Sequence, residues 1–224
     1  MMVSEPRIGI DRTVALVGGG ALAVGVLLGW RPPGLVPGLG LVAGLLFPLG
    51  LAVLAFGLPG RPGAFGHSRV VRASIGAAAA LTAVGVLLGL SLTSVDSALA
   101  VGTPATDALW MILNELPTVL LVVAAVAVRR SEGATRDAQR GLAVLAVASV
   151  AVQLLGLVVA LLGSALPNDE FQTLASQLFI VFDVLQAVTL AVGLWFAWPF
   201  LGPLLHRFVA FVTRVRRAHV DSTP

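Results

Sequence analysis

Apolar residues run along this chain in blocks of membrane length. A helix needs about 20 mostly apolar residues to cross a hydrocarbon core. Six stretches meet that need, over about 13–30, 38–58, 70–92, 106–128, 140–163 and 173–203. The breaks between them carry turn chemistry: Arg31-Pro32-Pro33-Gly34, Pro59-Gly60-Arg61-Pro62-Gly63 and Asn168-Asp169-Glu170. Pro104 suits the opening of the fourth helix, where its missing N–H is no loss. The pattern predicts an all-α integral membrane protein, with residues 1–203 forming one bundle of six transmembrane helices.

The sixth stretch is too long for one plain crossing. Pro199 and Pro203 are expected to end or kink it, and residues 204–224 to follow as an amphipathic interfacial helix. Leu204, Leu205, Phe208, Phe211, Val212 and Val215 share one arc, and His206, Arg207, Arg214 and Arg217 the opposite one. With Arg216, these arginines suit an anionic lipid surface.

Charge placement gives the orientation. The chain has no Lys, and thirteen of its arginines fall on one side when the connections are numbered alternately. Only Arg31 falls on the other. This positive-inside bias puts both termini in the cytoplasm, in a plasma or inner membrane. Trp30 and Trp110 fall near the outer interface and Trp195 and Trp198 near the inner one, as interfacial belts favour. A cleaved signal peptide is disfavoured. The first apolar run exceeds a usual h-region, and Ala21-Leu22-Ala23 lies inside the run instead of after it.

Composition narrows the function. Hydrophobic residues make up 58% of the 224 and charged ones 11%, against about 25% charged in soluble domains. That excludes a soluble enzyme, a nucleic-acid-binding domain and a disordered chain. With no Cys, disulfides, thiolate catalysis and Cys-ligated metals are excluded. His67, His206 and His219 lie outside the apolar runs, so no cofactor or metal is expected. Phosphate-binding glycine loops, His-Glu-x-x-His, Gly-x-Ser-x-Gly and Asn-Pro-Ala are all absent. The reading is non-enzymatic, and a lipid-acting membrane enzyme or an acid-dyad protease is disfavoured.

Small residues recur at helical spacing. Gly25 and Gly29, Gly40 and Gly44, and Gly85 and Gly89 each form Gly-x-x-x-Gly, which lets helices approach closely in lipid. The heptapeptide Ala-Val-Gly-Val-Leu-Leu-Gly occurs at 23–29 and again at 83–89, compatible with a repeat or with chance in low-complexity apolar sequence. The glycines read as packing within one chain, or as a face for a homo-oligomer or a partner subunit.

Polar groups inside the apolar runs concentrate in the last three spans. Glu115, Asp183 and Gln153 all fall ~14–15 Å below the outer ends, near the bilayer middle. Asn114 and Gln186 lie beside them. Acidic residues at this depth often mark ion or proton paths. Pro117 and Pro48 remove the helical donors of the Leu113 and Gly44 carbonyls, and freed carbonyls are a material of ion sites. Two expectations follow. One is a small proton- or cation-coupled transporter using this acidic site. The alternative is a non-catalytic membrane subunit or scaffold docking on a partner. A hydrogen-bonded structural cluster is the plainer account of the same residues.

Overall fold

The computed structural model describes residues 10–29, 39–94, 104–131 and 133–221. Trp30 and the Arg31-Pro32-Pro33-Gly34 break lie outside them. Among the described residues there are six helices: α1 (Arg12–Gly29), α2 (Leu39–Phe56), α3 (Arg69–Ser94), α4 (Pro104–Val128), α5 (Arg136–Ala165) and α6 (Asn168–Asp221). Among the described residues there is no strand, only an isolated bridge between Leu58 and Arg61. Five helices are long and apolar enough to cross a membrane, and Gly40–Phe56 is a shorter apolar one. By length and composition the chain is a multi-pass membrane protein. Large apolar side chains on the outer wall stay uncovered, among them Met111, Val147, Phe179 and Ile180, each above 60% exposed.

Local chemistry starts the helices. The Asp11 carboxylate accepts from the Thr13 and Val14 N–H groups at 2.9 and 3.2 Å and caps α1. Ser68 stands in the same relation to Val71. The Thr135 hydroxyl accepts from Ala138 N–H, with Asp137 in the first turn. This cap starts α5 one turn earlier than the apolar run alone suggests.

Neighbouring helices run antiparallel and close a ring. Each packs on its neighbours in the chain, and α1 packs on α6. Among the described residues no other pair of helices brings Cα atoms within 8 Å. Glycines set the closest approaches. A Cβ on Gly50 would lie 2.7 Å from the Gly18 carbonyl, and one on Gly193 would lie 2.9 Å from the Gly19 carbonyl. Of the sequence-derived packing glycines, Gly25 lies tight against the Phe47 backbone and Gly44 tight against Val86. Gly29 and Gly85 have only ordinary contacts, and Gly40 faces open space.

Among the described residues the ring has a filled end, where α1 begins, and an open end, where it finishes. Leu22, Leu51, Leu54, Ile75, Leu121, Leu142 and Val192 meet in the filled half. The α2–α3 loop seals it. Phe65 is fully buried and meets Phe196 edge-to-face, with centroids 6.1 Å apart. The loop starts at Gly57 (φ +85°), where any Cβ would strike the Arg61 carbonyl. Leu58-Pro59-Gly60-Arg61 then turns back, with Gly60 at φ +76° and backbone bonds of 2.8 and 3.1 Å between Leu58 and Arg61. Proline before a positive-φ glycine is the type II turn pattern. The Arg61 guanidinium donates to Asp11 at 3.0 and 3.2 Å and to the Thr13 hydroxyl at 2.6 Å.

The last helix departs from expectation. Pro199 and Pro203 do not end it, and it runs unbroken through 54 residues. At 1.5 Å per residue that is ~81 Å, well over twice a hydrocarbon core. A proline removes one backbone bond, yet a membrane helix continues past it because leaving more backbone unpaired costs more. Residues 204–221 therefore prolong α6. The side chains of Arg207, Arg214, Arg216 and Arg217 lie outside the described residues.

Candidate functional site

A cavity of about 530 Å³ occupies the open half of the ring and is lined from all six helices. Its lining reaches Gly29 and Gly40 near the open ends of α1 and α2, and Leu121 and Thr189 where the packed core begins. Apolar walls come from Val26, Phe47, Leu113, Val152, Phe182 and Leu185. The polar groups are Thr82, Asn114, Thr118, Ser149, Gln153, Gln186 and Thr189. Among the described residues no lining side chain is charged.

The lining accounts for much of the polar spacing in spans four to six. Asn114 and Thr118 sit four apart on α4, Ser149 and Gln153 four apart on α5, and Gln186 and Thr189 three apart on α6. Each pair shares one helical face. The Gln153 amide donates to the Asn114 backbone carbonyl at 2.7 Å and meets the Thr118 hydroxyl at 3.5 Å, tying α5 to α4. The bond therefore goes to the carbonyl beside Leu113, the one that Pro117 deprives of its helical donor. Thr82 and Thr189 donate their hydroxyl protons to the Ala78 and Leu185 carbonyls of their own helices, at 2.9 and 3.1 Å.

Of the residues singled out in the sequence, Asn114, Gln153, Gln186 and Pro117 come together here, as do Gly25, Gly29, Gly40 and Gly44. Gly85, whose contact is Leu113, does not line the cavity. Pro48 is buried inside α2. Its freed carbonyl belongs to Gly44 and that of Pro117 to Leu113, and both residues line the cavity. Glu115 and Asp183 do not. The lining arcs of α4 and α6 put Glu115 about 130° and Asp183 about 110° away from their centres. Both are exposed, on helices with no Cα approach within 8 Å. Thr82, Thr118, Ser149 and Thr189 are lining residues that acidity and depth did not select. The three- and four-residue polar spacing was the signal for those on α4–α6.

One ion pair anchors the filled end. The hydrogen bond from Arg61 holds the Asp11 carboxyl below its ordinary value, and the Val14 and Thr13 N–H groups add to the effect. Nearby, the Arg12 guanidinium lies 5.3 Å from the Phe200 ring centroid, within cation–π range. Trp195 and Trp198 are more than half exposed at this end.

Fold and cavity together define the class: a multi-pass α-helical membrane protein with a ring of helices around a chamber whose described lining is polar and uncharged. No family model matches the chain, and no curated protein or solved structure resembles it significantly.

Proposed function

We propose that this protein is a small membrane carrier whose solute occupies the central cavity. The observation that supports the reading is a chamber lined from every helix, open in one half of the ring and plugged by Phe65 in the other. Its volume falls in the ~300–1,000 Å³ range of small-molecule sites. In this reading α2 crosses with the other five helices, both termini are cytoplasmic as the arginines dictate, and the cavity faces outward. The Arg-rich end of α6 then lies on the inner surface.

The absence of Cys makes the test direct. Single-cysteine variants Ser149→Cys and Thr118→Cys are treated in intact cells with a membrane-impermeant maleimide. Labelling from outside is expected, and blocking of the label by a transported solute. Absence of labelling from either side would make the chamber a sealed packing void and end the carrier reading.

Glu115 and Asp183 enter as coupling groups, not as solute ligands. Glu115→Gln or Asp183→Asn is expected to abolish proton- or cation-driven accumulation while downhill exchange continues. Driven accumulation by both variants would remove coupling from the reading. Their exposure also favours a second reading, a membrane subunit docking on a partner, because mid-span carboxylates rarely face lipid. Native co-purification in mild detergent separates the two: a partner at fixed stoichiometry, lost on Glu115→Ala, favours the subunit.

A further inference from the structure

We infer that the cavity takes an uncharged solute that donates hydrogen bonds, such as a carboxamide or an alcohol, joined to an apolar body. This rests on the carrier reading and names its substrate class.

The argument is a count of donors and acceptors. Thr82 and Thr189 have already given their hydroxyl protons to Ala78 and Leu185, so toward the cavity each oxygen can only accept. Pro48 and Pro117 leave the Gly44 and Leu113 carbonyls without helical donors, and both residues are in the lining. The Gln153 amide has placed its N–H on Asn114. The Asn114 and Gln186 amides and the Ser149 and Thr118 hydroxyls keep donors of their own, so the wall offers both kinds of group, with acceptor groups the more numerous. Such a wall leaves the N–H or O–H groups of a bound molecule well partnered, whereas a molecule that brings only acceptors can use just the Asn114, Gln186, Ser149 and Thr118 donors and leaves the remaining acceptors bare.

Charge and shape narrow the class. Among the described residues the lining holds no acidic or basic side chain, and against that wall a carboxylate or ammonium would give up water for no counter-charge. A bare monovalent ion would occupy a small part of about 530 Å³. Phe47 and Phe182, with Leu113 and Leu185, supply the surface for a flat or aliphatic body.

The test uses four probes of one shape on the full chain in nanodiscs, with empty nanodiscs subtracted. Naphthalene-2-carboxamide is neutral and donates. Methyl 2-naphthoate is neutral and does not. 2-Naphthoate is the anion and 2-naphthylmethylammonium the cation. Calorimetric titration is expected to show saturable binding of the carboxamide, at least tenfold tighter than each of the others. Thr82→Val and Thr189→Val, close to the native shape, should weaken the carboxamide and leave the ester unchanged. An ester as tight as the carboxamide would overturn the donor requirement. A tighter ammonium probe would make this a cation site. In either case the carrier reading survives. Saturable binding by none of the four would remove both.

Discussion

Gln153 does at residue scale what few side chains in an apolar ring can do: it bonds one helix to the backbone of the next. Gln153→Leu keeps the bulk and removes that bond. It should cost about 0.5–1.5 kcal/mol, read as a lower unfolding midpoint in micelles. Asp11 gives a pH prediction of definite sign. Its folded carboxyl titrates below the ordinary 3.8. The contribution is therefore fully present above that value and is lost as pH falls through the lower, folded value. Protease cutting in the α2–α3 loop should stay slow at mildly acidic pH and rise only once pH falls below the ordinary carboxylate value of 3.8. In Asp11→Asn it should be faster already at neutral pH. What could be read at this scale was depth. Counting residues put Gln153 near the bilayer middle with Asn114 and Gln186 beside it, and all three line the cavity. It also promoted Glu115 and Asp183, because acidity suggests function and depth says nothing about azimuth. Which arc of a helix turns inward depends on its neighbours, and in spans apolar all round only the small spacing of amides and hydroxyls carries that information.

Elements are held by close backbone approach and by one plug. Gly50→Leu should force α1 and α2 apart, since the added side chain meets the Gly18 carbonyl and Leu22. Such overpacking costs about 1–3 kcal/mol. Gly40→Ala should leave the unfolding midpoint unchanged, because nothing lies within 4 Å of the added carbon. The glycine spacing named Gly40 and Gly44 alike and passed over Gly50, and the structure separates them: Gly44 lies tight against Val86. The two copies of Ala-Val-Gly-Val-Leu-Leu-Gly separate in the same way. Gly25 packs on the α2 backbone, whereas Gly85 reaches only the Leu113 side chain. Phe65 is a second kind of element. The Pro-Gly pattern around it announced a turn, but nothing there announced that its aromatic ring would fill the end of the bundle. Phe65→Ala should cost about 3–5 kcal/mol if the hole stays empty. It should also make Ser149→Cys react with impermeant maleimide from the filled-end side of inverted vesicles, which the intact plug prevents.

For the whole molecule, an all-helical chain with several helices of membrane length was legible, because apolar length and turn residues are local properties; the start of α5 and the far end of α6 were not. Ring closure was not, because nothing in any one span says that α1 will meet α6. That single seam, where Gly19 and Gly193 approach, has a consequence for biogenesis. Among the described residues every other close backbone approach between helices joins chain neighbours and can form as each hairpin leaves the ribosome. The α1–α6 seam waits for the last helix, whose 54 residues take about 3–10 s to synthesise. Until then five helices form an open arc with its polar inner wall turned to lipid. A chain ending at residue 166 should accordingly be removed by membrane proteases, and co-expression of residues 167–224 should rescue it. The newborn protein is exposed longest at the wall it later hides, and its survival depends on how quickly α6 arrives.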